Sequence, residues 1–169
     1  MKLSHRHLSQ IALFEFRTRF NSESDTPCSI LDIGCGDGEL VGEVHQLFMT
    51  EGIEVKVEGF EITEHGGRIE KWNQQIVQNL RSVDCQVDWN KRLKLVSSDE
   101  GFPYADNSID IALACQVLEH VHDLEQFFTE CVRCLSEKGC LVAMFPLKEV
   151  VLEPHIKVPF VHWMSTRFD

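Results

Sequence analysis

Apolar positions recur with two different periods along this chain, and the switches between them divide it into elements. Residues 5–20 carry Leu8, Ile11, Ala12, Phe14 and Phe16 at helical spacing, ahead of the polar run Asn21-Ser22-Glu23-Ser24-Asp25-Thr26-Pro27. Ser29 to Ile33 is a short apolar run that predicts a strand. Leu40, Val41, Val44, Leu47 and Phe48 return to the helical period, and Gly52 suits the stop. Val55–Phe60 predicts a second strand, and from about Gly67 to Val83 the residues Ile69, Trp72, Ile76, Leu80 and Val83 form another helical stripe. Leu93–Ser97 and Ile109–Ala114 read as the third and fourth strands. Asp123 then caps a helix bearing Leu124, Phe127, Phe128, Cys131 and Leu135, which Gly139 ends before a fifth strand, Cys140–Phe145. Strands alternating with helices predict right-handed crossovers: an α/β fold, a three-layer α-β-α sandwich around a doubly wound, mostly parallel sheet.

Composition narrows this picture without redirecting it. The 169 residues fit one domain, with 43% apolar residues for a core. The expected division is residues 1–27 as an N-terminal helix and loop, 28–146 as the core and 147–169 as a tail. A net charge of −11, with Lys and Arg scattered, argues against duplex nucleic acid, whose binding depends on neutralising phosphates. Neither a signal peptide nor a membrane-spanning run is evident, and the seven cysteines have no framework spacing. Reduced thiols in the cytoplasm explain them, Cys131-x-x-Cys134 included, as residues packed on a helix.

The chemistry concentrates in Ile30-Leu31-Asp32-Ile33-Gly34-Cys35-Gly36-Asp37-Gly38-Glu39. A strand runs into a turn with glycines at alternate positions, then into a helix whose free N–H groups face the turn. The pattern is G-x-G-x-G; Glu39 stands where the dinucleotide motif G-x-G-x-x-G has glycine, which counts against a nicotinamide enzyme. Glu61 ends the second strand, where a carboxylate can accept both hydroxyls of a ribose.

Entered through Leu31-Asp32-Ile33, this turn resembles motif I of the class I (Rossmann-like) S-adenosylmethionine (SAM)-dependent methyltransferases of the type 11/12 kind. Four further segments resemble that family in order: Glu61, Ser97–Asp110, Ala114-Cys115-Gln116-Val117-Leu118-Glu119-His120-Val121, and Leu135–Pro146. The resemblance implies that Asp32, Gly34, Cys35, Gly36 and Gly38 hold the methionine end of SAM. It places Glu61, with Ile62 beside it, at the ribose, and leaves the adenine contact open between Ser98 and Asp99. Cys115 and Gln116 would face the methionine part. His120 is the first candidate base and His155 the second, with His162 and Trp163 also on the substrate side.

Small-RNA 2′-O-methyltransferases and some quinone-biosynthesis methyltransferases carry a metal-binding Glu-x-x-Glu-His segment here. Gln116 replaces its first Glu, so no metal is expected there. The family core has seven strands and this pattern shows five, so the fifth is expected to be an edge left by truncation, covered by the Pro154–Phe168 tail, or completed by a partner or a second copy. The function implied is methyl transfer from SAM to a small-molecule, lipid or saccharide-type nucleophile. A non-catalytic SAM-binding scaffold module and a metal-assisted RNA 2′-O-methyltransferase-like enzyme are the alternatives.

Overall fold

The computed structural model describes residues 2–20, 27–63 and 69–145, with side chains from residue 74 onward in the last stretch. His155, His162, Trp163 and the expected tail lie outside the described residues. The elements run α1 (Leu3–Arg19), β1 (Cys28–Ile33), α2 (Glu39–Thr50), β2 (Val55–Ile62), α3 (Ile69–Val83), α4 (Trp89–Arg92) and β3 (Leu93–Val96). They continue with β4 (Ile109–Cys115), a 3-10 turn (Leu118–His120), α5 (Leu124–Cys134) and β5 (Leu135–Met144). The sheet order is β3-β2-β1-β4-β5, and every adjacent pair is parallel.

Alternate residues of each strand feed two apolar layers. Ile30, Val57, Ile111 and Leu113 pack with Leu8, Val41, Val44 and Phe48 of α1 and α2. Leu31, Ile33, Phe60, Ala112 and Ala114 pack with Phe127 and Cys131 of α5. Helices therefore cover both faces, the doubly wound arrangement that alternating periods predict. The order reverses between β1 and β4: from β1 the chain steps outward to β2 and β3, then returns to the other side.

Several local devices behave as the residue types dictate. Asp123 Oδ1 accepts the Gln126 N–H at 2.8 Å and caps α5. Gly52 has φ +72 beyond α2, and the next N–H, of Ile53, reaches back to Phe48 O at 2.9 Å. The seven cysteines are free thiols, with Cys131 and Cys134 buried in the layer beneath α5.

Three details depart from the pattern. The buried face of α1 is His5, Leu8, Ser9, Ala12 and Leu13, whereas Phe14 points outward, 65% exposed. A stripe at i, i+3 and i+4 through Leu8 leaves residue 14 off the face. The short α4 is unforeseen; Trp89 opens it, buried, with its indole N–H donating to Asp84 O at 2.9 Å. The largest correction concerns α5, which ends at Cys134, five residues before Gly139. Its last carbonyls, of Arg133 and Cys134, accept N–H groups from Asn107 and Ser108, both at 2.9 Å, so the loop entering β4 terminates the helix. The chain then joins the sheet at once, pairing Leu135 with Ile109 and, after a slip in register, Cys140 with Ile111. Gly139 lies in that irregularity, where a Cβ would stand 2.9 Å from Ser136 O and 3.0 Å from Ile109 O. It permits a close backbone approach within β5.

Candidate functional site

Parallel strands place all their carboxyl ends on one side, and the loops leaving β1, β2, β3 and β4 there enclose a cleft of about 390 Å³. Gly34 comes from β1, Glu61 and Ile62 from β2, Val96, Ser97 and Ser98 from β3, and Gln116 and Val117 from β4. His120, His122 and Asp123 lie beyond, and Phe102 and Phe127 form an apolar wall. The rings of Phe60, Phe102 and Phe127 follow one another at 4.9 and 5.6 Å, a surface suited to a flat apolar ring.

The glycine turn forms one rim. Gly34, Gly36 and Gly38 all have positive φ, between 50° and 74°, which only glycine adopts freely. At Gly34 a Cβ would also fall 2.8 Å from Val117 Cγ2, so the loops after β1 and β4 touch at the switch point. Cys35 turns inward: its side chain is 4% exposed and sits where a Cβ on Gly59 would be, and burial drives its thiol pKa well upward. Gln116, with φ +56, is one of two described non-glycine residues in the left-handed region, and its N–H donates to Met144 O at 2.7 Å. A strained residue at a cleft wall is a common mark of a functional turn.

Glu61 stands opposite that rim, 8% exposed. Its Oε2 accepts the Gly36 N–H and its Oε1 the Ile62 N–H, each at 2.9 Å. A carboxylate has about four acceptor positions. Two are used to orient the group, leaving one on each oxygen for a vicinal diol.

The expected site residues thus divide. Gly34, Glu61, Ile62, Ser98, Gln116 and His120 meet in the cleft. Asp32 is 2% exposed behind the turn, where burial foremost, then the charges of Glu61 and Asp37, hold its carboxyl well above the usual range. Gly36 and Gly38 belong to the turn itself, and Cys115 is half-buried at the end of β4. Asp99 is outside the cleft lining and accepts a hydrogen bond from Ser97 Oγ, whereas Ser98 lines the wall.

Sequence reasoning passes over the group that holds this wall. Arg133 Nη1 donates to Tyr104 O and Asp106 Oδ1, both at 2.8 Å, and Nη2 to Phe102 O at 3.0 Å and Glu130 Oε2 at 2.7 Å. Glu130 Oε2 in turn accepts the Phe102 N–H at 2.7 Å. The pair fastens the loop carrying Ser98 and Phe102 to α5. Its only signal in sequence is an i, i+3 Glu–Arg pair, a spacing common on any helix surface.

Comparison with known proteins agrees with this geometry. Residues 31–143 match the family model described as "Methyltransferase domain". The mitochondrial ubiquinone biosynthesis O-methyltransferase of Rattus norvegicus is 28% identical over 129 residues, 74% of this chain and 33% of that protein. Its Mus musculus counterpart is 29% identical over 113 residues, 66% of this chain and 27% of that protein. The chain therefore spans about a third of the length of the curated relatives it matches. Among solved structures, a SAM-dependent methyltransferase from Aquifex aeolicus superimposes with a TM-score of 0.58 at 18% identity, covering 95% of this chain and 75% of that one. A SAM-dependent methyltransferase from Thiobacillus denitrificans, solved with S-adenosyl-L-homocysteine, gives 0.52 at 14% identity, over 85% of this chain and 48% of that one. Among the described residues no helix is long and apolar enough to cross a membrane. The order of strands, the glycine turn and a family match over two-thirds of the sequence converge: the chain belongs to the methyltransferase domain family and shares its fold with SAM-dependent methyltransferases of known structure.

Proposed function

We propose that the cleft binds SAM with its ribose on Glu61, and that the protein transfers the methyl group to a hydroxyl of a small molecule of lipid character. The observation that carries this reading is Glu61, buried and oriented by two backbone N–H groups with one acceptor position left on each oxygen. Ser98 is the polar group on the adenine side, and the Phe102–Phe127 wall would take the flat face of the base. The glycine turn, which carries no side chains at its three left-handed positions, would lie against the methionine part. Bound SAM supplies an electrophilic methyl on sulfur, transferred in line so that the carbon–sulfur bond breaks as the carbon–oxygen bond forms and sulfur keeps the electron pair.

The chain's part is to position the donor and acceptor and to remove the acceptor proton. His120 is the base we assign, because it lines the cleft beyond Gln116 and an imidazole nitrogen offers a lone pair to the acceptor's proton. The O-methyltransferase relatives support a hydroxyl acceptor, and their role in ubiquinone biosynthesis supports one of lipid character. Their mitochondrial naming favours that compartment over the cytoplasm expected from composition.

Calorimetric titration with SAM, S-adenosylhomocysteine and NAD tests the donor. We expect binding of the first two only, and Glu61→Ala should weaken SAM by about 1–3 kcal/mol through lost charge-assisted hydrogen bonds. Unchanged affinity in that variant removes Glu61 from the ribose, and tight NAD binding without SAM overturns the reading altogether. Product formation with a series of phenolic and lipid hydroxyls, using His120→Ala beside the unaltered protein, then tests acceptor and base.

A further inference from the structure

Outside the cleft, two buried polar atoms without hydrogen-bond partners meet where the first turn of α1 crosses the start of α2. His5 is 9% exposed, and its Nδ1 makes no hydrogen bond. Glu43, one turn into α2, keeps Oε2 buried and equally unpartnered. Glu39 precedes it by four residues on the same helix face. One ligand atom from each of the three lies within 4.8 Å of the others. Folded proteins leave only a few such atoms unsatisfied, and of the four among the described residues two converge here.

The chemistry of the cluster selects what would satisfy it. An imidazole nitrogen and two carboxylates offer lone pairs, so the missing partner is a cation.

Distance narrows the class further. His5 Nδ1 stands 3.4 Å from Glu39 Oε2 without the alignment of a hydrogen bond. Two ligands of a tetrahedral ion with bonds of roughly 2.0–2.1 Å are separated by about 3.4 Å. Magnesium and calcium prefer all-oxygen shells, and an imidazole with carboxylates suits a first-row transition ion.

We propose that His5, Glu39 and Glu43 bind one divalent transition-metal ion of the zinc class, clamping α1 to the first turn of α2. Lys2 and Arg6 supply cationic side chains near the carboxylates; Lys2 Nζ is 3.2 Å from Glu39 Oε2 and 3.5 Å from Asp37 Oδ2. The ion takes the Glu39 oxygen, and Lys2 keeps Asp37. Because Glu39 directly follows Gly38, the ion would also brace the end of the glycine turn. This site is separate from the Gln116-Glu119-His120 segment, where Gln116 removes a carboxylate.

Cobalt(II) is the probe, because seven free thiols compete for zinc and a thiolate announces itself on cobalt by a strong near-ultraviolet charge-transfer band. Titration of the whole chain, without SAM, should give one Co²⁺ per chain by equilibrium dialysis. The spectrum should show visible ligand-field bands of nitrogen and oxygen ligation and no thiolate band. His5→Ala and Glu43→Gln should each weaken binding by at least about tenfold, while His7→Ala, at an exposed neighbour, leaves it unchanged. Metal-free melting curves establish that each variant is folded, and Glu43→Gln serves if His5→Ala is not. Absence of binding overturns the proposal. So does a thiolate band, or affinity unaltered in the folded variants.

Discussion

Asp32 lies in the middle strand, opposite Gly59 on one side and Leu113 on the other, in one of the driest positions a carboxylate takes here. Its raised pKa has a direct consequence for stability. The unfolded chain releases this proton at about pH 4. Above that pH the unfolded state ionises while the folded state still holds its proton, so stability falls as pH rises toward the folded-state value. Asp32→Asn removes the penalty. In urea unfolding the variant should match the unaltered protein below about pH 4 and exceed it near pH 7 by about 1 kcal/mol. A variant less stable at pH 7 would show that the carboxylate has compensating partners. A group that costs the fold stability fits one retained for a ligand. At this scale, position is legible in sequence and direction is not. Asp32 and Glu61 can be placed because each is the last residue but one of a strand that runs into a turn. Ser98 and Asp99 look equivalent in sequence and part only in the loop's fold, which turns Asp99 to Ser97 and leaves Ser98 on the cleft wall.

Between elements, the strongest link around the cleft is the one from α5 to the β3–β4 loop through Arg133. Its guanidinium serves two main-chain carbonyls and two carboxylates at once, a planar fork that an ammonium cannot reproduce. Arg133→Ala should lower the unfolding free energy by about 1–3 kcal/mol, with Arg133→Lys recovering little of it. Hydrogen exchange in residues 98–106 should quicken in both variants. Exchange there equal to that of the unaltered protein would mean the loop is held by its apolar contacts alone. The periods of 2 and 3.6 reveal where elements lie, because burial imposes them. They do not reveal how elements end against one another. Gly139 looks like a helix stop because glycine commonly is one, yet Asn107 and Ser108 end α5 first, from 26 residues upstream of the last two helical carbonyls. Such partners are distant in sequence and carry no local signature.

Four separate strand ends contribute to one cleft, and this arrangement makes ligand binding a property of the whole sheet. A ligand touching only the glycine turn would order one loop. SAM spanning from Gly34 to Glu61, Ser98 and Gln116 would tie together the ends of β1, β2, β3 and β4, which lie far apart along the chain. S-adenosylhomocysteine at one hundred times its dissociation constant should therefore stabilise the fold by about 2.7 kcal/mol. Hydrogen exchange should slow together in residues 34–39, 61–63, 96–98 and 116–121. Residues 47–54, at the opposite end of the β1–β2 crossover, should change only through the global term. Edge position sharpens the expectation for β3, which pairs on one side only with β2 among the described residues and has just four residues of its own. It has the least support within the sheet and stands to gain most from a ligand bridging it to Glu61. Protection limited to 34–39, with no change at 96–98, would place the ligand on the turn alone and remove Ser98 and the aromatic wall from the adenine side.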